Sequence, residues 1–200
     1  MAYGFRPVTV NGAAYQTGGF QEFPINPSEG TRISNGDLCT LTDDYGVVRL
    51  GSPPVPLKFS SASPPVTTVP SNQALGVFVG CRYVDANGTP TWSQYWPSAA
   101  GTEAFAFVVT DPLAVFKIQC SASWAETGLG NLVDPTLTAG SGDDGNSRAV
   151  VGALTNDPDA CLRVVGVVRD GANEDSSTPD ILVQWSSPTC LLSGFQTTVA

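Results

Sequence analysis

The sequence predicts an all-β protein, a β-sandwich or a distorted, jelly-roll-like β-barrel, with very little helix. The 21 glycines and 16 prolines exceed ordinary usage and interrupt helices. Several segments alternate apolar with small or polar residues at a period of two, and turn residues separate these segments. The length of 200 residues and the 42% hydrophobic content are sufficient for one folded core.

Residues 1–36 are predicted to form an extended N-terminal arm, and residues 37–200 the β-sandwich body. Glycines and prolines interrupt the arm throughout, yet aromatic residues are spaced along it. Such a segment has too many helix breakers for a helix and too many aromatic residues for a free tail, so we expect it to become ordered against a partner. The residues expected to contact the partner are Tyr3, Phe5, Arg6 and Pro7.

The first part of the body combines a short strand pair with a long loop. A strand pair is predicted near residues 46–50, after the turn at 43–44. Residues 52–72 contain six prolines, which exclude a helix and interrupt any central strand. We therefore expect an extended, semi-rigid loop that is either a flexible connection or a docking surface. As a docking surface it would make a second contact with the partner between Pro53 and Pro70, with Pro53 and Pro54 among the contact residues.

The clearest strand signal begins at Leu75. Odd-numbered residues from Leu75 to Tyr83 are predicted to share one face, and even-numbered residues from Gly76 to Arg82 the other. Residues 85–88 (Asp-Ala-Asn-Gly) predict a hairpin turn, after which residues 89–96 return as the partner strand.

Further strands are predicted in the rest of the chain, and one short helix. Phe105 and Phe107 alternate with small alanines, and Phe116 and Ile118 are expected to face inward. The remaining predicted elements are strands at 162–168 and 181–185, a glycine-rich loop at 140–146, and a helix from Ser123 to about Gly128 with Glu126 at the capping-box position.

The charge balance excludes several classes of partner. The net charge is −9, and the nine basic residues form no cluster. Nucleic acid and anionic membrane surfaces are bound through clustered Lys and Arg, so neither is expected as a partner. No window is apolar enough for a transmembrane helix, and the start of the chain does not have the pattern of a secretory signal, so we expect folding in a cytoplasm.

Catalytic and metal chemistry find little support in the residues. The chain contains no histidine, which is the usual general base and the commonest metal ligand. The five isolated cysteines are expected to be buried, reduced thiols. No nucleophile-elbow, phosphate-loop or dinucleotide motif occurs, so we predict no enzymatic activity, cofactor or metal. A calcium site at the acidic loop 142–146 is a weaker alternative, because the alternating ladder of oxygen ligands is missing.

Three aromatic residues, Trp92, Tyr95 and Trp96, follow the predicted hairpin turn. Such a group could pack in the core, anchor a protein interface or form a platform for sugar rings. If the group anchors a protein interface, the contact residues would be Trp92 and Trp96.

Several stretches resemble small head proteins of tailed bacteriophages. The opening Ala-Tyr-Gly-Phe-Arg-Pro-Val at residues 2–8 looks like the start of such proteins. The further similar stretches are Gly76–Tyr83, Trp92–Pro97, Val109–Pro112, Val115–Gln119 and Leu162–Val168.

The resemblance implies a capsid decoration or cement protein. Such proteins are β-rich, have no enzymatic activity, and bind the outside of a head shell built from the major capsid protein. They are usually trimeric or dimeric, so a homotrimer is favoured here and a dimer is the alternative. The protein would be assembled in the host cytoplasm and reside on the virion exterior. The alternatives are another virion component (a head-fibre base, tail-tube or minor tail protein) and a carbohydrate-binding β-sandwich module.

Overall fold

The computed structural model describes residues 2–8, 19–42, 46–54, 73–98, 101–124, 126–140, 144–152, 160–169 and 177–186. The described part of the chain is nearly all-β, with 52% of its residues in strands and 2% in helix, which confirms the predicted fold class. The predicted helix at 123–128 is wrong in type: among the described residues it is a single 3-10 turn, Glu126–Gly128. Three residues are too few to propagate a helix.

Fifteen strands are described, most of them short. In chain order they are Arg6–Pro7 (β1), Phe20–Pro24 (β2), Ile33–Ser34 (β3), Leu38–Leu41 (β4), Val47–Arg49 (β5), Gly76–Asp85 (β6), Pro90–Ser93 (β7), Tyr95–Trp96 (β8), Gly101–Val109 (β9), Val115–Gln119 (β10), Leu132–Val133 (β11), Pro135–Thr136 (β12), Val150–Val151 (β13), Leu162–Val167 (β14) and Asp180–Trp185 (β15).

The strands form two main sheets with antiparallel pairing. The five-stranded sheet has the order β1-β10-β15-β14-β11. The six-stranded sheet has the order β2-β9-β6-β4-β5, and β7 also pairs with β6. Two further pairs, β3-β8 and β12-β13, complete the described strands. The strand orders are those of open sheets, so the described residues form a sandwich and not a closed barrel.

The main core lies between the two sheets. Phe116 and Ile118 contribute to it from β10, and Val183 from β15, as the alternating pattern of those strands predicts. From the six-stranded sheet, Val77 and Val109 belong to the same cluster of buried side chains. Burying such side chains stabilises the fold by roughly 1.5–3 kcal/mol each, which makes this cluster the main source of cohesion between the sheets.

A second core lies on the opposite face of the six-stranded sheet. Phe78, Val108 and Trp96 belong to it, and the β3-β8 pair supplies two of its members, Ile33 and Trp96. A single bridge between Ile25 and Val47 joins the two outermost strands of this sheet at one end. The sheet is therefore curled around the second core, while its other face packs on the five-stranded sheet.

Strand β6 contains a bulge that the sequence does not predict. Val77 pairs with Val109 and Phe78 with Val108, but Gly80 is the next residue to pair, opposite Phe107. Val79 is thus an extra residue, and the faces exchange after it. The expectation that all odd-numbered residues from 75 to 83 share one face is therefore wrong: Val77 lies in the inter-sheet core, whereas Cys81 lies in the second core.

The hairpin turn at residues 85–88 is confirmed. The Asp85 carboxylate accepts hydrogen bonds from the backbone N–H groups of Asn87 and Thr89, both at 2.8 Å. Gly88 has a φ of 77°, in the left-handed region that such turns require and that favours glycine. The returning segment first pairs with β6 as β7 and then leaves to pair with β3 as β8.

The described part of the predicted N-terminal arm belongs to the body, which corrects the boundary at residue 36. Arg6 and Pro7 pair with Lys117 and Phe116 of β10. Further along the chain, β2 is the outer strand of the six-stranded sheet and β3 pairs with β8. The arm was predicted from its glycines and prolines, but these residues interrupt short edge strands here and do not leave the segment unpaired. Residues 9–18 lie outside the described residues.

A buried polar network ties the loop after β3 to the rest of the body. The carboxylate of Asp37 accepts hydrogen bonds from the Ser147 hydroxyl at 2.6 Å and from the Ser34 N–H at 2.8 Å. Its third partner is the Arg49 guanidinium, at 3.2 Å. Burial raises the pKa of Asp37 in spite of these partners. The network matters because it satisfies an acid that would otherwise be buried without hydrogen bonds.

The four described cysteines, Cys39, Cys81, Cys120 and Cys161, are free and buried, as predicted. Burial raises the pKa of the Cys81 thiol to about 12 and that of Cys120 to about 11. The fifth cysteine, Cys190, lies outside the described residues.

The burial of these thiols predicts very slow alkylation in the folded protein, because only an exposed thiolate reacts readily. In a Cys190→Ser variant, iodoacetamide at pH 8 should label none of the four remaining thiols on the timescale that modifies all four in denaturant. Mass spectrometry measures this count. Rapid labelling of any one thiol under native conditions would contradict its described burial.

Candidate functional site

The candidate site is a surface at the end of the sandwich where the six-stranded sheet extends past the other sheet. Strand β6 has ten residues and β9 has nine, whereas β10, β14 and β15 have five or six. At about 3.3 Å per residue, the β6-β9 pair is longer than the sheet that it packs on. Part of the face that forms the inter-sheet core is therefore not covered by any described strand.

Four aromatic residues, Phe20, Trp92, Phe105 and Phe107, lie on this uncovered face, and we call them the outer aromatic patch. The pairing register places them on the face of Val109, which belongs to the inter-sheet core. The centroids of the Phe20 and Phe107 rings are 5.3 Å apart, and Trp92 stacks on Phe107 at 5.6 Å with an interplanar angle of 18°. Even so, Trp92 is 71% exposed and Phe20 is 49% exposed.

Gly80 makes this stacking possible. It pairs with Phe107, and β6 lies between Trp92 on β7 and Phe107 on β9. Because Gly80 has no side chain, the indole of Trp92 can reach across β6 to the Phe107 ring. A Cβ at this position would lie 3.2 Å from the Ser93 carbonyl oxygen and 3.6 Å from the Phe107 ring.

An ion pair borders the outer aromatic patch. The Arg82 guanidinium donates two hydrogen bonds to the Glu22 carboxylate, at 2.8 and 3.1 Å, and lies 4.2 Å from the centroid of the Phe105 ring. The hydrogen bonds to Arg82 lower the pKa of Glu22, and the same hydrogen bonds raise the pKa of Arg82. Both side chains are exposed, so the ion pair adds little to the stability of the fold. Its effect is to hold the two side chains in place at the surface.

The three aromatic residues after the hairpin turn do not form a common platform. Trp92 is exposed, which a residue that contacts a partner must be. Its role as a partner contact stays a prediction. Tyr95 is half-buried, with the Arg32 guanidinium 3.8 Å from its ring centroid. Trp96 is only 3% exposed and belongs to the second core, so the prediction that it is a surface contact is wrong. It is buried because β8, the strand that contains it, pairs with β3, and this pair packs against the second core.

The predicted contact residues of the N-terminal arm are held within the body. Phe5 is fully buried and contacts Phe116 and Trp185, with ring centroids 6.0 and 6.5 Å away, so it is not a contact residue. Pro7 and Arg6 are half-buried in β1.

The guanidinium of Arg6 donates hydrogen bonds to the side chains of Asn35 and Asn146, and burial lowers its pKa. The Tyr3 ring has the Lys117 ammonium 5.1 Å from its centroid, and burial raises the pKa of its hydroxyl. Both residues therefore make contacts within the chain, which disagrees with their predicted role in an arm that lies on a partner.

The described residues include only the start of the predicted proline-rich loop. Pro53 is half-buried and Pro54 is buried, so Pro54 is not a surface contact. Residues 55–72 lie outside the described residues, and the prediction for them stays a prediction.

The acidic loop does not form a described cation site. Asp144 makes an ion pair with Arg148 at 2.9 Å, and Asp143 lies outside the described residues. In the part of the chain that the structure describes, no three acidic or cysteine side chains come together in a way that could hold a metal ion. The same part contains no helix long and apolar enough to cross a membrane.

Three members of the outer aromatic patch, Phe20, Phe105 and Phe107, and the ion pair that borders it were not identified from the sequence. One sequence pattern pointed to this surface. Phe105 and Phe107 alternate with Ala104 and Ala106, and small alanines fit the face of a sheet that is closely packed. The structure places Ala106 in the second core and leaves the Phe107 side facing outward.

The fold and the outer aromatic patch define an all-β sandwich with an exposed aromatic surface at one end. No protein-family model, no curated protein and no solved structure matches the chain.

Proposed function

We propose that this chain is a non-enzymatic structural protein of a phage virion, which binds the outer surface of the head shell and stabilises it. The observation that carries the proposal is the outer aromatic patch, a continuation of the inter-sheet core face that no described residue covers. Trp, Phe and Arg side chains of this kind are enriched at the centres of protein interfaces.

The sequence supports the choice of a head shell as the partner. The resemblance to phage head proteins extends over β6, β7, β10 and β14, and these strands make up much of the sandwich. A net charge of −9 suits the outer face of a shell and disfavours a lumen filled with DNA. The partner would be the major capsid protein, and the protein itself would act as a homotrimer or a dimer, because several weak contacts then act together.

We place the proposed contact outside residues 2–8. Residues 2–8 pack into the body, so they cannot serve as the arm that grips a neighbouring subunit. The proposed contact is therefore the outer aromatic patch. Trp92 is its central residue because it is the most exposed of the four and is held by stacking on Phe107. A side chain that is already ordered loses less entropy when it binds.

Head binding by a Trp92→Ala variant tests this proposal. We expect its affinity for heads that lack the protein to fall at least about tenfold, since buried aromatic anchors contribute 2 kcal/mol or more. Co-sedimentation of the purified variant with those heads measures the loss.

The matched control is Leu113→Ala, because Leu113 is 68% exposed and lies in the turn before β10, outside the outer aromatic patch. This variant should bind like the wild type. If Trp92→Ala binds normally, or if the wild type does not sediment with heads, the proposal is wrong. Immunolabelling in electron micrographs separates a head protein from a tail component, because label on the tail would support the second class of virion protein.

A carbohydrate-binding function is the second candidate, and the exposure of Trp92 favours it. The indole is held by Phe107 on one side and is largely open, and sugar rings stack on such surfaces. The expected signal is a change in tryptophan fluorescence with an oligosaccharide, lost in Trp92→Ala. A glycan array without hits would exclude this candidate.

A further inference from the structure

A cavity lies at the start of β9, on the side of the six-stranded sheet that carries the second core, which is the face opposite to the outer aromatic patch. Its volume is about 370 Å³, which is in the range of small-ligand pockets. Its walls are formed by the residues that follow β2, the start of β9 and Trp96. The lining residues are Ile25, Asn26, Pro27, Trp96, Gly101, Thr102, Glu103 and Ala104.

Glu103, which lines this cavity, lies at a bulge in β9. Arg82 pairs with Phe105, but the next described pair is Val84 with Thr102, so β9 contains one extra residue. Glu103 has a φ of 48°, in the left-handed region that few non-glycine residues adopt. Bulges and strained residues of this kind re-aim side chains next to functional sites. Glu103 also lines a small groove beside Trp92 and Arg82, so it borders both surfaces.

The chemistry of the cavity suits a basic side chain. Ile25, Pro27 and Ala104 offer an apolar wall for an aliphatic stem, and Glu103 is the only charged residue among those that line the cavity. A lysine or arginine places its methylene groups along apolar surface and its charge near a carboxylate. The net charge of −9 also favours a partner with basic groups.

We propose that this cavity receives a lysine or arginine side chain from the partner of the outer aromatic patch. This inference rests on the proposed function and deepens it: the apolar part of the contact falls on Trp92, and its charged part on Glu103. Thr102, which also lines the cavity, supplies a hydroxyl group.

Small cations test the cavity without any partner. Titration with propylguanidinium or with butylammonium should shift the amide NMR signals of residues 101–104 and the signal of the Trp96 indole N–H. Tighter binding of propylguanidinium would indicate an arginine, and tighter binding of butylammonium a lysine. Butanol, which is neutral, should shift them much less. If butanol acts equally well, or if no titrant shifts these signals, the inference is wrong.

Glu103→Gln should weaken cation binding at least about fivefold, the effect of losing a partly exposed ion pair of about 1 kcal/mol. Glu103→Gly removes the carboxylate and relieves the strained φ, so it should show the same loss in a protein at least as stable. Asp111→Asn, which removes an exposed carboxylate in the turn before β10, is the matched control and should bind normally. Cation binding unchanged in both Glu103 variants would overturn the inference.

Head binding then separates this inference from the proposed function. We expect Glu103→Gln to bind heads about fivefold more weakly than the wild type. If the wild type does not bind heads but the cations bind at Glu103, the function is wrong and the cavity is confirmed as a cation site. If heads are bound equally by Glu103→Gln and the wild type, the function stands and the role of the cavity in it is wrong.

Discussion

Replacing Phe5 by alanine is expected to lower the free energy of unfolding by about 3–5 kcal/mol, the usual cost of removing a large aromatic side chain from a core. Phe5 is fully buried between Phe116 and Trp185, and its N–H donates a hydrogen bond of 3.0 Å to the Gly36 carbonyl. If residues 2–8 formed a free arm, the same change would leave stability unaltered. Chemical denaturation followed by tryptophan fluorescence measures the difference.

Phe20→Ala is the matched control for Phe5→Ala. Both changes remove a phenyl ring near the N-terminus, but Phe20 is 49% exposed in the outer aromatic patch. We expect a loss of less than about 1 kcal/mol. Equal losses for the two variants would contradict the different places that the structure gives these rings.

Replacing Gly76 by alanine is expected to destabilise the fold by about 3 kcal/mol, because it forces apart the strands at the centre of the six-stranded sheet. A Cβ at Gly76 would overlap the Val109 carbonyl oxygen and lie 2.9 Å from Val108 Cγ1. Neither group can move easily, since Val109 belongs to the inter-sheet core and Val108 to the second core. The midpoint of denaturation measures the effect.

Gly51→Ala gives the control for the Gly76 substitution. A Cβ at Gly51 would meet no atom within 4 Å, so this change should be neutral or should stabilise the protein slightly by restricting the unfolded chain. A Gly76→Ala variant as stable as Gly51→Ala would show that β6 and β9 are not paired in the described register.

Local patterns predicted the long strands well, because their signal is contained in a few neighbouring residues. The alternation of Phe116 and Ile118 in β10 is an example. The bulge at Val79 could not be predicted, since it depends on which residue of β9 lies opposite. The burial of Phe5 depends on partners more than one hundred residues away, and a two-residue strand such as β1 has no periodic signal.

The candidate site was predictable only in part for the same reason. Trp92 stood out in the sequence by its position after a hairpin turn. Its neighbours Phe20 and Phe107 come from strands whose register is set by long-range pairing, so nothing local connects them. The burial of Trp96, four residues from Trp92, follows from the change of pairing partner between β7 and β8.

Hydroxyl-radical footprinting of the protein, free and bound to heads, is the most direct test of the outer aromatic patch as the contact surface. Trp92 and Leu113 have similar exposure, 71% and 68%, so the change in oxidation of one on binding can be compared with the change in the other within the same sample. We predict that oxidation of Trp92 and Phe20 falls on binding while oxidation of Leu113 does not change. Protection of Leu113 with Trp92 still fully oxidised would contradict the account.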